Sequence, residues 1–134
     1  MFDVAIGGCG VVGAATAFML SQRQCSVVVL EKENDIATGA TRANSAIIHA
    51  GYDPEPNTIM ARLNVRGVAL AKEICAKLDV PYKQCGSLVL ALQDSDVPHI
   101  EKLYKNGVAN GVPDIQLLTA DEVKAIEPHV IDTV

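Results

Sequence analysis

The sequence lacks several features that mark other classes of protein. It contains no tryptophan, aromatic residues make up 4% of its 134 residues, and its basic residues form no run. The formal net charge is −5, whereas proteins that bind nucleic acid or anionic lipid normally present a basic face. Composition and charge therefore argue against nucleic acid as a partner of this chain.

The four cysteines also lack the spacings that mark metal-binding and redox motifs. Cys9, Cys25, Cys75 and Cys85 form no Cys-x-x-Cys pair, so neither a zinc ribbon nor a thioredoxin-type redox motif is indicated. We expect no metal site. Without a secretory signal, the default is four reduced thiols in a cytoplasmic protein.

One uncharged run, Val4 to Leu20, approaches the length of a membrane span. It lies at the lower edge of spanning length, and its glycines would suit a lone membrane helix poorly. A secretory signal would begin with a basic region, but Asp3 precedes this run. We expect neither a targeting peptide nor a transmembrane segment here.

What is present is an ordered series of elements in the first thirty-one residues. Residues 2–6 are predicted to form a buried strand, and residues 8–13 (Gly-Cys-Gly-Val-Val-Gly) match G-x-G-x-x-G. A predicted helix over 14–22 and a β-branched strand over 26–30 follow, and Glu31 ends the series. Such a motif alone is a weak signal, but this complete order is that of a dinucleotide-binding β-α-β unit.

Each residue of this unit has a physical role in the predicted site. Gly8 permits a tight turn, Gly10 lets backbone approach a pyrophosphate, and Gly13 lets the helix lie close to the strands. Val12 lies in the same turn, where the helix N-terminus attracts anions. Glu31 suits the ribose hydroxyls and disfavours a 2′-phosphate, so NADP is the least expected dinucleotide. The pattern does not separate FAD from NAD.

Longer segments are more specific than the glycine motif. They are EKENDIATGATRANSAIIHAGYDPEP (31–56), RLNVRG (62–67), VPYKQCGSLVLAL (80–92) and LYKNGVANGVPDIQLLTADEVKAIEP (103–128). Together they resemble the FAD-dependent oxidoreductases of the D-amino-acid-oxidase and glycerol-3-phosphate-dehydrogenase type, over essentially the whole chain. Two positions depart from the family pattern: Cys9 and Ala46 stand where relatives often carry glycine.

The resemblance implies FAD as the cofactor and adds residues to the candidate site. The loop 38–41 is small and bears hydroxyls, which suits a phosphate or ribityl chain, and neutral side chains follow it that could cap a helix or contact flavin. The added cofactor-binding residues are Lys32, Gly39, Thr41, Asn44 and Ser45. His49, in an apolar stretch, has two interpretations: a hydrogen-bonded structural residue, or the base that contacts flavin or substrate.

The resemblance also implies a function, the oxidation of a secondary alcohol that carries an anionic group. Within the family the likeness favours the glycerol-3-phosphate branch, which forms dihydroxyacetone phosphate. The alternatives are L-2-hydroxyglutarate oxidation, amine or amino-acid oxidation, and a non-catalytic dinucleotide-binding module. Expected partners are a small anionic hydroxy substrate and either a second copy or an electron-accepting subunit, with the protein cytoplasmic or peripheral at a membrane.

The remaining elements predict how the chain is organised. Helices are predicted over 58–78 and 94–110 and from Thr119 to Pro128, with strands over 82–92 and 115–118. The predicted fold is α/β: the N-terminal part of a Rossmann-like FAD-binding domain (1–78), then the start of an α+β substrate domain (79–134). Two clear parallel strands are too few for a doubly wound sheet. We therefore expect an N-terminal fragment, inactive alone, with a complete small protein as the alternative.

Overall fold

The structure is a computed structural model that describes residues 1–131. Its contacts divide the chain into two units, Met1–Ile47 and the chain from Ile48 onward. The predicted domain boundary between residues 78 and 79 stays a prediction. Residues 132–134, which the predicted substrate domain includes, lie outside the described residues.

The first unit contains the predicted β-α-β arrangement. Strands β1 (Val4–Gly7) and β2 (Val27–Leu30) pair in parallel, with Val4 opposite Val27. Parallel strands need a crossover connection, and helix α1 (Val11–Leu20) provides it and packs against both strands. The helix begins at Val11, three residues before the predicted start, so Gly13 lies within its first turn.

The second unit is helical in its regular parts. It contains α2 (Ile59–Lys77), a 3-10 turn (Asp94–Asp96) that continues into α3 (Val97–Asn110), and α4 (Ala120–Ile126). Helices α2 and α3 pack against each other. The predicted helices over 58–78, 94–110 and from Thr119 are thus confirmed.

Local capping explains where these helices begin and end. The Thr58 hydroxyl accepts the Ala61 N–H at 3.1 Å at the start of α2. Thr119 and Glu122 form a reciprocal capping box at the start of α4, as their spacing predicts. Gly111 ends α3 in the left-handed region, with φ 77°, where glycine has no steric penalty.

The two predicted strands of the second unit are wrong. Residues 82–92 and 115–118 are irregular rather than strands. A strand requires backbone hydrogen bonds to a neighbouring strand, and among residues 1–131 the only such ladder joins β1 to β2. Leu88 and Leu92 are exposed, so the alternating leucines of residues 88–92 mark neither a buried face nor a paired strand.

The core of the described residues is small. The buried apolar side chains are Ala61, Ala91 and Val123, all in the second unit.

None of the helices formed within residues 1–131 combines the length and the apolar character that crossing a bilayer requires.

Candidate cofactor site

The glycine turn joins β1 to α1 and needs glycine at two positions for different reasons. Gly8 has φ +93°, a conformation that L side chains rarely adopt. A Cβ on Gly13 would overlap the carbonyl oxygen of Gly8 and lie 3.4 Å from Cγ2 of Ile6. The absent side chain at Gly13 therefore lets the first turn of α1 lie directly against the end of β1, as the motif predicts.

The N-terminus of α1 receives its cap from a distant loop. Its N-cap residue is Gly10, which has no side chain to accept a hydrogen bond. The Val11 N–H donates instead to Oγ1 of Thr41 at 2.9 Å, and a Cβ on Gly10 would lie 3.1 Å from that oxygen. Thr41 thus places its loop beside the helix end at which anions are stabilised.

A groove of about 630 Å³ opens between the glycine turn and the Thr41 loop. This volume lies within the range of small-molecule sites. Six of the ten predicted cofactor residues line it: Gly8, Gly10, Val12, Gly13, Thr41 and Asn44. Four further lining residues were not predicted: Ile6, Gly7, Val11 and Thr16; Ala40, which also lines the groove, belongs to the predicted loop 38–41. Thr16 could have been found, because it follows Val12 by one helical turn on the same face.

Glu31 joins the end of β2 to the glycine turn. One carboxylate oxygen accepts the Cys9 N–H at 2.6 Å. The other accepts the N–H groups of Lys32 and Glu33 at 2.9 and 3.1 Å. These bonds, above all that from Cys9 and next that from Glu33, lower the pKa of Glu31 below its ordinary value of 4.5. Glu31 is therefore a charged acceptor held beside the turn.

Asn44 shapes the loop that carries Thr41. Its Nδ2 donates to the carbonyl oxygen of Thr41, and its Oδ1 accepts the Ala46 N–H at 2.7 Å. Ala46 has φ 56°, a left-handed conformation that glycine adopts without steric cost. No helix begins at Asn44 or Ser45, so the interpretation of these residues as a helix cap is wrong.

The other predicted site residues do not line the groove. Lys32 points its ammonium to the Glu33 carboxylate at 3.2 Å with an 87% exposed side chain. Gly39 is exposed, and its carbonyl accepts the Arg42 N–H in a turn. Ser45 is also exposed. The cofactor roles of these residues stay predictions.

His49 lies in the second unit. Its Nδ1 is 3.7 Å from Oδ2 of Asp53, and the two side chains are 70% and 54% exposed. Its backbone carbonyl accepts a hydrogen bond from Nδ2 of Asn64 at 3.0 Å. The backbone of His49 is therefore anchored while its imidazole faces solvent, with one ring nitrogen directed to a carboxylate.

Comparison with known proteins adds a family model and several relatives. The family model described as FAD dependent oxidoreductase matches residues 3–134. Glycerol 3-phosphate dehydrogenase of Caloramator mitchellensis is 46% identical over 134 residues, which are 100% of this chain and 28% of the relative. Mitochondrial L-2-hydroxyglutarate dehydrogenase of Homo sapiens is 40% identical over 130 residues, which are 96% of this chain and 28% of the relative.

A solved structure agrees with these relatives. It is the dithionite-reduced L-alpha-glycerophosphate oxidase from Mycoplasma pneumoniae with FAD bound. It matches with a TM-score of 0.83 and 34% sequence identity, over 97% of this chain and 35% of that chain. This chain therefore spans about a third or less of the length of the proteins that it resembles.

Proposed function

The chain belongs to the FAD-dependent oxidoreductase family, and we propose that the protein containing it oxidises glycerol 3-phosphate to dihydroxyacetone phosphate. The family and the α/β FAD-binding fold predicted from the sequence are confirmed by the family and structural matches. The observation that carries the proposal is 46% identity to a glycerol 3-phosphate dehydrogenase along the entire chain. The neighbouring structure of a glycerophosphate oxidase supports the same substrate.

The first unit has the residues that FAD requires. The glycine turn leaves space where side chains would otherwise stand, and the N-terminus of α1 supplies backbone N–H groups and a positive dipole for a pyrophosphate. The Glu31 carboxylate, held by Cys9, suits the adenosine ribose. The Thr41 hydroxyl at the same helix end suits a phosphate oxygen.

The reaction divides between the cofactor and the chain. When bound, FAD supplies the acceptor for the hydride that leaves the substrate carbon. His49 would accept the proton of the substrate hydroxyl, since histidine is the side chain that most often acts as a general base. The Asp53 carboxylate, 3.7 Å from Nδ1, favours a proton on that nitrogen and leaves Nε2 as the acceptor.

The second candidate substrate is L-2-hydroxyglutarate. Seven of the relatives are L-2-hydroxyglutarate dehydrogenases at 35–40% identity. Both substrates are secondary alcohols with an anionic group, so the hydride and proton transfers are the same. The higher identity and the segment ANSAIIHAGYDPEP (43–56) favour glycerol 3-phosphate.

Anaerobic mixing of the full-length flavoprotein with each substrate tests the proposal. Glycerol 3-phosphate should bleach the flavin absorbance, and L-2-hydroxyglutarate should not. The reverse result would replace the substrate and leave the family intact. Bleaching only by amines or amino acids would move the enzyme to another branch, and a protein without flavin would support a non-catalytic module.

The role of His49 needs a separate measurement on the same protein. His49→Ala should slow the bleaching by about 10²–10⁴-fold while FAD stays bound, because a general base contributes about that much. His99→Ala, which removes another exposed histidine, is the matched control and should bleach at the parental rate. A His49→Ala rate within a few-fold of the parent would assign His49 a structural role.

We also propose that the protein is cytoplasmic or peripheral at the membrane. Its partner is either an electron-accepting subunit or a second copy of the same chain. All four cysteines are free thiols in the described part of the chain, which suits a reducing compartment. Reoxidation of the bleached flavin separates the acceptors: fast return in air indicates an oxidase, and return only with added quinone or dye indicates a dehydrogenase with a protein or membrane acceptor.

A further inference from the structure

The segment that follows His49 is tied to the end of helix α3. We call residues 49–55 the His49 loop. Asn110, the last residue of α3, is half-buried, and its Nδ2 donates to the carbonyl oxygens of Gly51 at 2.9 Å and Pro54 at 2.8 Å. One carboxamide thus uses both of its hydrogens on backbone acceptors that are 59 and 56 residues away in the sequence.

Further contacts hold the loop at its two ends. Nδ2 of Asn64, on α2, donates to the carbonyl oxygen of His49 at 3.0 Å. At the other end, Nζ of Lys102, on α3, lies 2.6 Å from Oε1 of Glu55. This last pair is exposed and contributes little. The Thr58 hydroxyl also donates to the carbonyl oxygen of Glu55 at 2.7 Å, and the Asn110 bonds anchor the middle of the loop, where Gly51 is buried.

The two carbonyls that Asn110 binds bracket Tyr52 and Asp53. The Asp53 carboxylate is the partner of Nδ1 of His49 at 3.7 Å, and both side chains are largely exposed. Exposed side chains have no surrounding packing to select one conformation. The backbone sets the points from which the imidazole and its carboxylate extend, and Asn110 and Asn64 hold that backbone.

We propose that Asn110 is a positioning residue for His49: it fixes the His49 loop so that the imidazole and the Asp53 carboxylate stay in register. This rests on the proposed function, in which His49 accepts the proton of the substrate hydroxyl. A general base must lie within hydrogen-bond reach of that proton, and a displacement of about 1 Å can slow a reaction by about 10²-fold. Asn110 thus acts on the reaction without contacting the substrate.

The first test is Asn110→Ala in the full-length flavoprotein, with the limiting rate of anaerobic bleaching measured at saturating substrate. We expect the rate to fall roughly tenfold to a hundredfold, with FAD content unchanged and KM within a few-fold of the parent. A parental limiting rate would overturn the proposal. If Asn110→Ala does not fold, Asn110→Asp keeps the shape of the side chain but replaces both N–H donors with an acceptor, and a parental rate for that variant would equally overturn the proposal.

Gly111→Ala is the matched control for stability. Gly111 follows Asn110 and has φ +77°, so an alanine there strains the backbone. The added Cβ meets no atom within 4 Å. The end of α3 is thereby destabilised while both Asn110 bonds are kept, so the bleaching rate should stay near that of the parent. A loss as large as that of Asn110→Ala would indicate that general destabilisation of α3 slows bleaching, and would overturn the positioning role.

A double variant separates positioning from a merely structural role. If Asn110 acts through His49, Asn110→Ala should cause no further slowing in the His49→Ala background, because the group that it positions is gone. Equal slowing in both backgrounds would overturn the proposal. A parental rate for His49→Ala alone would refute the role of His49 in the proposed function, a result distinct from a parental rate for Asn110→Ala.

Discussion

Removal of the Glu31 carboxylate is the most direct perturbation of the candidate cofactor site. In the structure this group accepts three backbone N–H bonds, and the shortest, 2.6 Å from Cys9, joins the end of β2 to the glycine turn. Glu31→Ala removes all three bonds and also the proposed acceptor for the ribose hydroxyls. The turn keeps the hydrogen bond from the Gly8 N–H to the Leu30 carbonyl oxygen at 2.7 Å, but it loses the side-chain link beside the proposed dinucleotide site.

The expected loss follows from the kind of bond removed. Hydrogen bonds to a charged acceptor are stronger than neutral ones, so the dissociation constant for FAD should rise roughly tenfold to a hundredfold. Glu31→Gln keeps the size of the side chain but replaces one carboxylate oxygen with an N–H₂ group. That group is a donor and would face backbone N–H donors. Its dissociation constant should lie between those of the parent and Glu31→Ala.

Titration of the full-length apoprotein with FAD, followed by flavin fluorescence or calorimetry, measures these constants. Glu33→Gln is the matched control. It removes a carboxylate charge two residues after Glu31, from a side chain that pairs with Lys32. We expect FAD affinity near the parental value for the control. Equal affinity of Glu31→Ala and the parent would refute the assignment of Glu31 to the cofactor site.

The other predictions concern the same unit. Gly10→Val puts a branched side chain where even a Cβ would lie 3.1 Å from Oγ1 of Thr41, so the purified protein should lack flavin, whereas Cys9→Gly should keep it; flavin retained by Gly10→Val would contradict the site. Thr41→Val removes the acceptor of the Val11 N–H and should lower the free energy of unfolding by about 0.5–2 kcal/mol in urea, while Thr41→Ser should not. The pKa of Glu31 is lowered in the folded chain, so its contribution to stability is complete above pH 4.5 and is lost as the pH falls through the lowered value. The stability difference between the parent and Glu31→Gln should therefore disappear on acidification, and a difference that grew below pH 4.5 would argue against the cause assigned to this shift.

Much of the first unit could be predicted from local sequence. The valines of β2, the glycines of the turn and the acid that follows β2 each act over a few residues, and their order implied a parallel β-α-β unit. The cap at Thr119 could be predicted for the same reason, because a capping side chain binds a backbone group three residues away. The family could be identified from longer segments, which the family match confirms.

The wrong strand predictions over 82–92 and 115–118 show that a local sequence pattern cannot by itself predict a strand. Alternating apolar residues describe which side of a segment is buried, but pairing depends on a neighbour supplied from elsewhere in the fold. The start of α1 was placed three residues late for a related reason. Glycine at position 13 is a poor helix former in isolation, and only the closeness of Gly8 explains its place in the helix.

The sequence by itself therefore determined the β-α-β unit, its glycine turn and the family, because short-range spacing encodes them. Tertiary structure decided which distant side chains complete the sites. Thr41 caps α1 from 30 residues away, and Asn110 holds Gly51 from 59 residues away. No local pattern specifies such partners, since a bond between distant residues has no fixed spacing along the chain, and only the fold brings the hydroxyl or carboxamide within hydrogen-bond reach of a backbone group.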